Sequence, residues 1–218
     1  MSILYIDKSD CVIGKQDNRI TVKYKDGMVR TIPVESIDGI TLLGYAQVTT
    51  QCIQECLKKG ISLSYFSKGG HYFGRLSSTG HIKASLQRKQ AGLYDQPFAL
   101  ELSKKIIYAK IHNQIVVLRR YSKSTNHNIS DIELHMKSAL RKVNYVKSIE
   151  ELMGYEGSAS KYYFKGLSIC IDDAFKFEGR SKRPPRDAFN SMLSLGYSIL
   201  MNELYGEIEI KGLNAYFG

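Results

Sequence analysis

The 218 residues predict an α+β protein. It has an N-terminal β-rich domain, β-sandwich-like with one short helix, followed by an all-α helical domain. Three observations carry that prediction. Short apolar runs, several of them alternating with period two, fill residues 1–76. A Ser/Gly-containing stretch, 77–83, interrupts the chain. Beyond it, over residues 84–218, apolar positions recur at about 3.6 residues.

ILYID (3–7), CVIGK (11–15), RITVKY (19–24), MVRTIP (28–33) and GITLLG (39–44) read as strands because they are rich in β-branched and apolar residues. Turn-forming residues separate them, and Asp26-Gly27 between the third and fourth is a strong hairpin signal. TTQCIQECLKKG (49–60) reads as an amphipathic helix, capped by Thr49 or Thr50 and stopped by Gly60. ISLSYF and HYFGRL form a further hairpin around Lys68-Gly69-Gly70.

Residues 83–94 read as the first helix of the second domain, and Pro97 opens a long second one. Along it Ala99, Leu102, Ile106, Ala109, Ile111, Ile115 and Leu118 recur at helical spacing. A third helix runs from Ser130, where SDIE offers a capping box, to about Val146. Ser148 caps a fourth, extending to Phe175, and a fifth covers 187–205, with Asp187 suited to cap it.

Hydrophobic residues at 43% and charged residues at 24% exclude a disordered chain. No apolar run reaches the roughly 18 residues of a membrane span, and the start lacks a signal peptide's basic segment, so a cytoplasmic location with no membrane partner is expected. Cys11, Cys52, Cys56 and Cys170 match no zinc or disulfide spacing and read as reduced core thiols. The net charge of +10 is uneven: residues 81–147 carry 13 Lys and Arg against 4 Asp and Glu. A basic segment of that kind suits a polyanion, nucleic acid above all, although a solvated basic face has the same composition.

Two stretches stand out chemically. Glu156 lies mid-helix in GYEGSASKYYF, among Gly154, Gly157, Ser158 and Ala159. Glycines there cost about 1 kcal/mol each in helix propensity, and small residues admit close approach of a backbone or ligand. Glu156 therefore reads either as a functional carboxylate or as a surface glutamate beside a packing contact. The loop before the fifth helix gathers Arg180, Lys182, Arg183 and Arg186 around the stiff Pro184-Pro185, an arrangement suited to phosphate contacts or to plain solvation.

Taken in order, GYEGSASKYYF, FEGRSKRPPRDAFNSMLSLGY and the terminal GLNAYFG resemble the CRISPR-associated DNA integrase, the metal-dependent nuclease subunit that captures new spacers. The resemblance spans the chain. It implies a β-rich dimerisation domain and a helical catalytic domain that binds one Mg²⁺ or Mn²⁺ through a glutamate, a histidine and an aspartate. It assigns Glu156 as catalytic residue and metal ligand, and a spacing of seven favours Tyr163 on the same face. Implied partners are a second copy of the chain, the small companion subunit of the spacer-capture complex, and double-stranded DNA. Lys104, Lys105, Lys110, Arg180, Lys182, Arg183 and Arg186 are expected phosphate contacts on charge alone.

The chain departs from that pattern in its ligands. His71, His81, His112, His127 and His135 all precede Glu156, fit no matching motif, and read as surface or packing residues. The family's histidine and aspartate belong beyond Gly218. A shortened or incompletely ordered chain with little nuclease or integrase activity is expected, and a non-catalytic DNA-binding or assembly module is the alternative. A basic protein-interaction domain is the third reading.

Overall fold

Strands and helices form where the two apolar periods place them in the computed structural model, which describes residues 2–80, 82–182 and 184–217. Strands β1 (Ile3–Ile6), β2 (Cys11–Gln16), β3 (Arg19–Tyr24), β4 (Val29–Pro33), β5 (Gly39–Leu43), β6 (Gln47–Val48), β7 (Ser62–Phe66) and β8 (Tyr72–Leu76) surround helix α1 (Thr50–Lys59). They build two four-stranded sheets, ordered β1-β5-β7-β8 and β4-β3-β2-β6. Asp26-Gly27 turns β3 into antiparallel β4, and Lys68-Gly69-Gly70 turns β7 into antiparallel β8. The pairings β1–β5 and β5–β7 are parallel, with α1 supplying the crossover into β7.

The two sheets and α1 bury one core, including Ile13, Ile20, Ile40, Leu42, Leu63, Cys52 and Cys56. The Thr49 hydroxyl accepts from the Cys52 amide at 3.3 Å, and Gly60 ends α1 in the left-handed conformation that glycine adopts without strain. All four cysteines are buried and free.

The helices are α2 (Ala84–Gly92), α3 (Pro97–Thr125), α4 (Ser130–Val143), α5 (Ile149–Cys170) and α6 (Ala188–Ile210). Ser148 caps α5, accepting from the Glu151 amide at 3.2 Å. Several ends differ from the expectation, and α4 ends at Val143 rather than about Val146. The α4 start has Ile129 at its N-cap with no side-chain cap, rather than a Ser130 capping box, and the Asn128 side chain accepts from the Ser130 amide at 2.9 Å in the turn before it. Helix α5 stops at Cys170 because Asp172 accepts from the Ala174 amide and draws the chain into a separate 3-10 turn. Helix α6 runs five residues past 205, held by contacts from β8 described below.

Contacts group the chain into two compact units, one of residues up to Gln87 with Ser194–Ala215, the other of Arg88–Leu193 with the residues from Tyr216. This differs from the sequence boundaries of 1–76, 77–83 and 84–218 in assigning the later part of α6 to the β-rich unit. There Arg75 of β8 forms an ion pair with Glu209, donates to the Asn202 carbonyl at 3.3 Å, and lies over the Tyr205 ring. Ser64 adds a buried hydrogen bond to the Asn202 side chain at 2.9 Å. Among the described residues no helix is long and apolar enough to cross a membrane.

In the helical unit α3, α4 and α5 share a core of Ile111, Ile115, Leu118, Ile132, Met136, Ala139, Val143, Leu152, Ala159 and Leu167. The N-terminal half of α3 is less covered: Leu102 and Ile106, read as part of the same stripe, are exposed. Gly166 is where α5 comes closest to its neighbours; a Cβ there would stand 3.0 Å from Leu118 Cδ1 and 3.2 Å from Ile132 Cγ2.

One ion-pair cluster ties α3 to α4. Glu133 accepts from Arg119 at 2.6 Å and also pairs with Lys137, and these hydrogen bonds, Arg119's first, pull its carboxyl down to about 2 against the small opposing effect of burial. A carboxylate with a depressed native pKa stabilises the fold above its unfolded value, about 4.3, and that contribution is lost as pH falls toward 2. Thermal melts across pH 2–5 are therefore expected to fall more steeply for the parent chain than for Glu133→Gln; parallel curves would contradict the pairing.

Candidate functional site

Glu156 sits at the middle of α5, about a quarter exposed, and its Oε1 accepts from Lys110 Nζ of α3 and from Ser160 Oγ at 2.9 Å. Ser160 lies one turn further along the same helix, the i+4 spacing that brings side chains together. Burial pushes the Glu156 carboxyl up, but the hydrogen bonds from Lys110 and Ser160, with the charges of Lys110 and Lys182, outweigh it and hold the group below its usual range. The site is thus an ionised carboxylate paired with the Lys110 ammonium of α3, with the charge of Lys182 from the loop preceding α6 adding to the effect.

The expected phosphate-binding residues separate into groups. Lys110 pairs with Glu156, and Lys182 is exposed. Lys105 and Arg186 are exposed. Lys104 is paired with Glu101 at 2.8 Å. The Arg180 guanidinium donates to Asn190 Oδ1 at 2.9 Å and to the Ser181 carbonyl, so it is engaged within its own loop. Arg183 lies outside the described residues, as do His81 and Gly218.

Two residues absent from the expected set belong to the site. Ser160 was visible only as one of several small residues after Glu156. Asn190, fully buried, joins the basic loop to α6, and it appeared in the sequence only as part of a motif. The Asp187 cap is present: its Oδ1 accepts from the Asn190 amide at 2.7 Å. Rings flank the carboxylate's helix. Lys142 lies over Tyr155, 5.6 Å from its centroid, and His135 stacks on Tyr162 at 4.3 Å.

A divalent ion requires several converging oxygen or nitrogen ligands. Among the described residues no group of three or more His, Cys, Asp or Glu side chains could hold a metal. At Glu156 the hydrogen-bond donors are the Ser160 hydroxyl and the Lys110 ammonium, and the ammonium repels a cation. The residues present do not fit the metal centre that the resemblance implies.

A two-sheet β unit and a helical unit that displays one carboxylate among lysines define an α+β protein with a basic, carboxylate-centred face. The family profile of CRISPR associated protein Cas1 matches residues 4–218, and the chain belongs to that family. It is 40% identical over 216 residues to the CRISPR-associated endonuclease Cas1 of Mycobacterium tuberculosis, covering 99% of this chain and 63% of that protein. The chain thus spans somewhat less than two thirds of that relative. Among solved structures it is similar to a chain of a Cas6-RT-Cas1–Cas2 complex, with TM-score 0.81 and 25% identity, covering 100% of this chain and 24% of that one. A CAS1 protein from Thermotoga maritima shares the fold with TM-score 0.82 at 23% identity, covering 100% of this chain and 68% of that one.

The glycines beside Glu156 are not packing contacts: a Cβ at Gly154 or Gly157 would meet nothing within 4 Å. Open space at both positions argues against close helix packing there. Gly157→Ala is accordingly expected to raise stability by about 1 kcal/mol in chemical denaturation. A destabilised variant would mean that the glycine is needed for the fold.

Proposed function

We propose that the chain supplies the Glu156-bearing, DNA-contacting part of a metal-dependent DNA endonuclease and integrase. Such an enzyme inserts new spacers into CRISPR arrays by phosphodiester cleavage and 3′-hydroxyl transesterification. The observation that carries the proposal is the Lys110–Glu156 ion pair in a chain of the Cas1 family. Lys110 with the exposed Lys182, Lys105 and Arg186 can neutralise phosphates. Glu156 is the carboxylate available for catalysis.

The donor set at Glu156 supports a narrower reading for these residues by themselves. They bind duplex DNA, hold no Mg²⁺ or Mn²⁺ at useful affinity, and cleave or integrate little or not at all. By themselves they act as a DNA-binding or assembly module. Pairing through the β-rich unit with a second copy belongs to the same proposal. So does a small companion subunit, supported by the similarity to a chain of a Cas6-RT-Cas1–Cas2 complex.

The test is DNA affinity for a duplex with 3′ overhangs between about 50 and 200 mM salt, with chelator and with Mn²⁺. The affinity is expected to fall steeply with salt and to ignore the metal, and Lys182→Ala should reduce the log–log slope by about 1. Salt-insensitive or absent binding would overturn the DNA reading. Mn²⁺-dependent cleavage abolished by Glu156→Ala would overturn the narrower one.

A further inference from the structure

We infer that Asn190 is a positioning residue that fixes the backbone of the basic loop carrying Lys182; this rests on reading that loop as part of a DNA-binding face. Asn190 is fully buried, a position where a carboxamide persists only when its donors and acceptors are matched. Here they are. Its Oδ1 accepts from the Ser181 amide at 3.0 Å and from Arg180 Nη1 at 2.9 Å. Its Nδ2 donates to the Gly179 carbonyl at 2.9 Å and to Asp187 Oδ2 at 2.6 Å. One side chain thereby grips the loop on both sides of Arg180, immediately before Lys182, and ties it to the first turn of α6.

The surrounding chain is shaped to meet that grip. Gly179 has φ of +152°, a conformation that other residues adopt only with strain, and its carbonyl reaches the carboxamide. The Arg186 amide donates to Ser181 Oγ at 3.0 Å, closing the far side of the loop. Upstream, Phe177 stacks on Phe189 at 4.3 Å, and its carbonyl accepts from Ser168 Oγ of α5. Aspartate at position 190 would offer acceptors alone, losing both Nδ2 bonds and facing the Asp187 carboxylate with a second negative charge. An apolar residue would leave the Ser181 amide and the Gly179 carbonyl without this partner. Arg180, matched to Asn190, serves the loop's shape, while Lys182, two residues on in the same loop, is exposed.

Two measurements on the full 218-residue chain test the inference: amide hydrogen exchange across residues 179–187, and a double-mutant cycle of Asn190→Ala with Lys182→Ala read as the salt dependence of duplex-DNA affinity. Asn190→Ala is expected to speed exchange at Ser181 and Arg186 while leaving the α5 amides around Glu156 protected. It should lower the salt slope by about 1, as Lys182→Ala does, and the double variant should lose no more than either single one. If Asn190→Ala unfolds the helical unit, Gly179→Ala perturbs the same loop from its other side and carries the same expectations. Unchanged exchange in the loop would overturn the positioning role whatever the DNA result. Additive losses would show that Asn190 acts independently of Lys182, and would overturn it too. Faster exchange with parent-like DNA binding in Lys182→Ala would instead overturn the DNA reading on which the inference rests.

Discussion

The close approach of α5 to α3 and α4 at Gly166 is the constraint on which the site depends. With Leu118 and Ile132 standing where a side chain would be, only glycine fits without displacement of its neighbours. That contact also sets the register of the two long helices. Leu118 lies opposite Gly166 and Lys110 opposite Glu156, so α3 and α5 run in the same direction at nearly the same pitch. Helix α4 runs against both, and His135 meets Tyr162 where Lys142 meets Tyr155. The ammonium of Lys110 reaches Glu156 because the apolar packing two to three turns away has placed it there.

The electrostatics follow from that placement. An ionised carboxylate at a partly covered position needs a partner, since burial favours the neutral form. Lys110, Lys182 and the Ser160 hydroxyl supply it. A cluster of this composition is satisfied without a bound ion, and it still presents ammonium groups to a phosphate. Glu156 can therefore be a family carboxylate in a site whose local chemistry, within these residues, favours an anion over a cation.

Much of the architecture was legible because local signals and tertiary structure agree. Asp26-Gly27, Gly60 and Ser148 each do in the structure what their backbone preferences allow. The parallel pairing of β1, β5 and β7 was not legible, since alternation records which face is buried and not which strand lies alongside. The length of α6 was not legible either: its last turns depend on Arg75, more than a hundred residues away in sequence. At the site, Glu156 stood out by helix-breaking neighbours and Lys182 by charge. Gly154 and Gly157 suggested close packing that is absent there and present at Gly166, because composition does not say which side of a helix faces a neighbour. Asn190 was hidden because its role lies in hydrogen bonds to backbone atoms, which leave no pattern of residue types.

Hydrogen exchange of the full chain with and without duplex DNA, in chelator, tests the proposed DNA contact at the Glu156 face. If DNA binds there, protection is concentrated in residues 104–110, 156–160 and 179–187 and is lost at high salt. Protection confined to the β-rich residues 1–76, or none at any salt concentration, would contradict it.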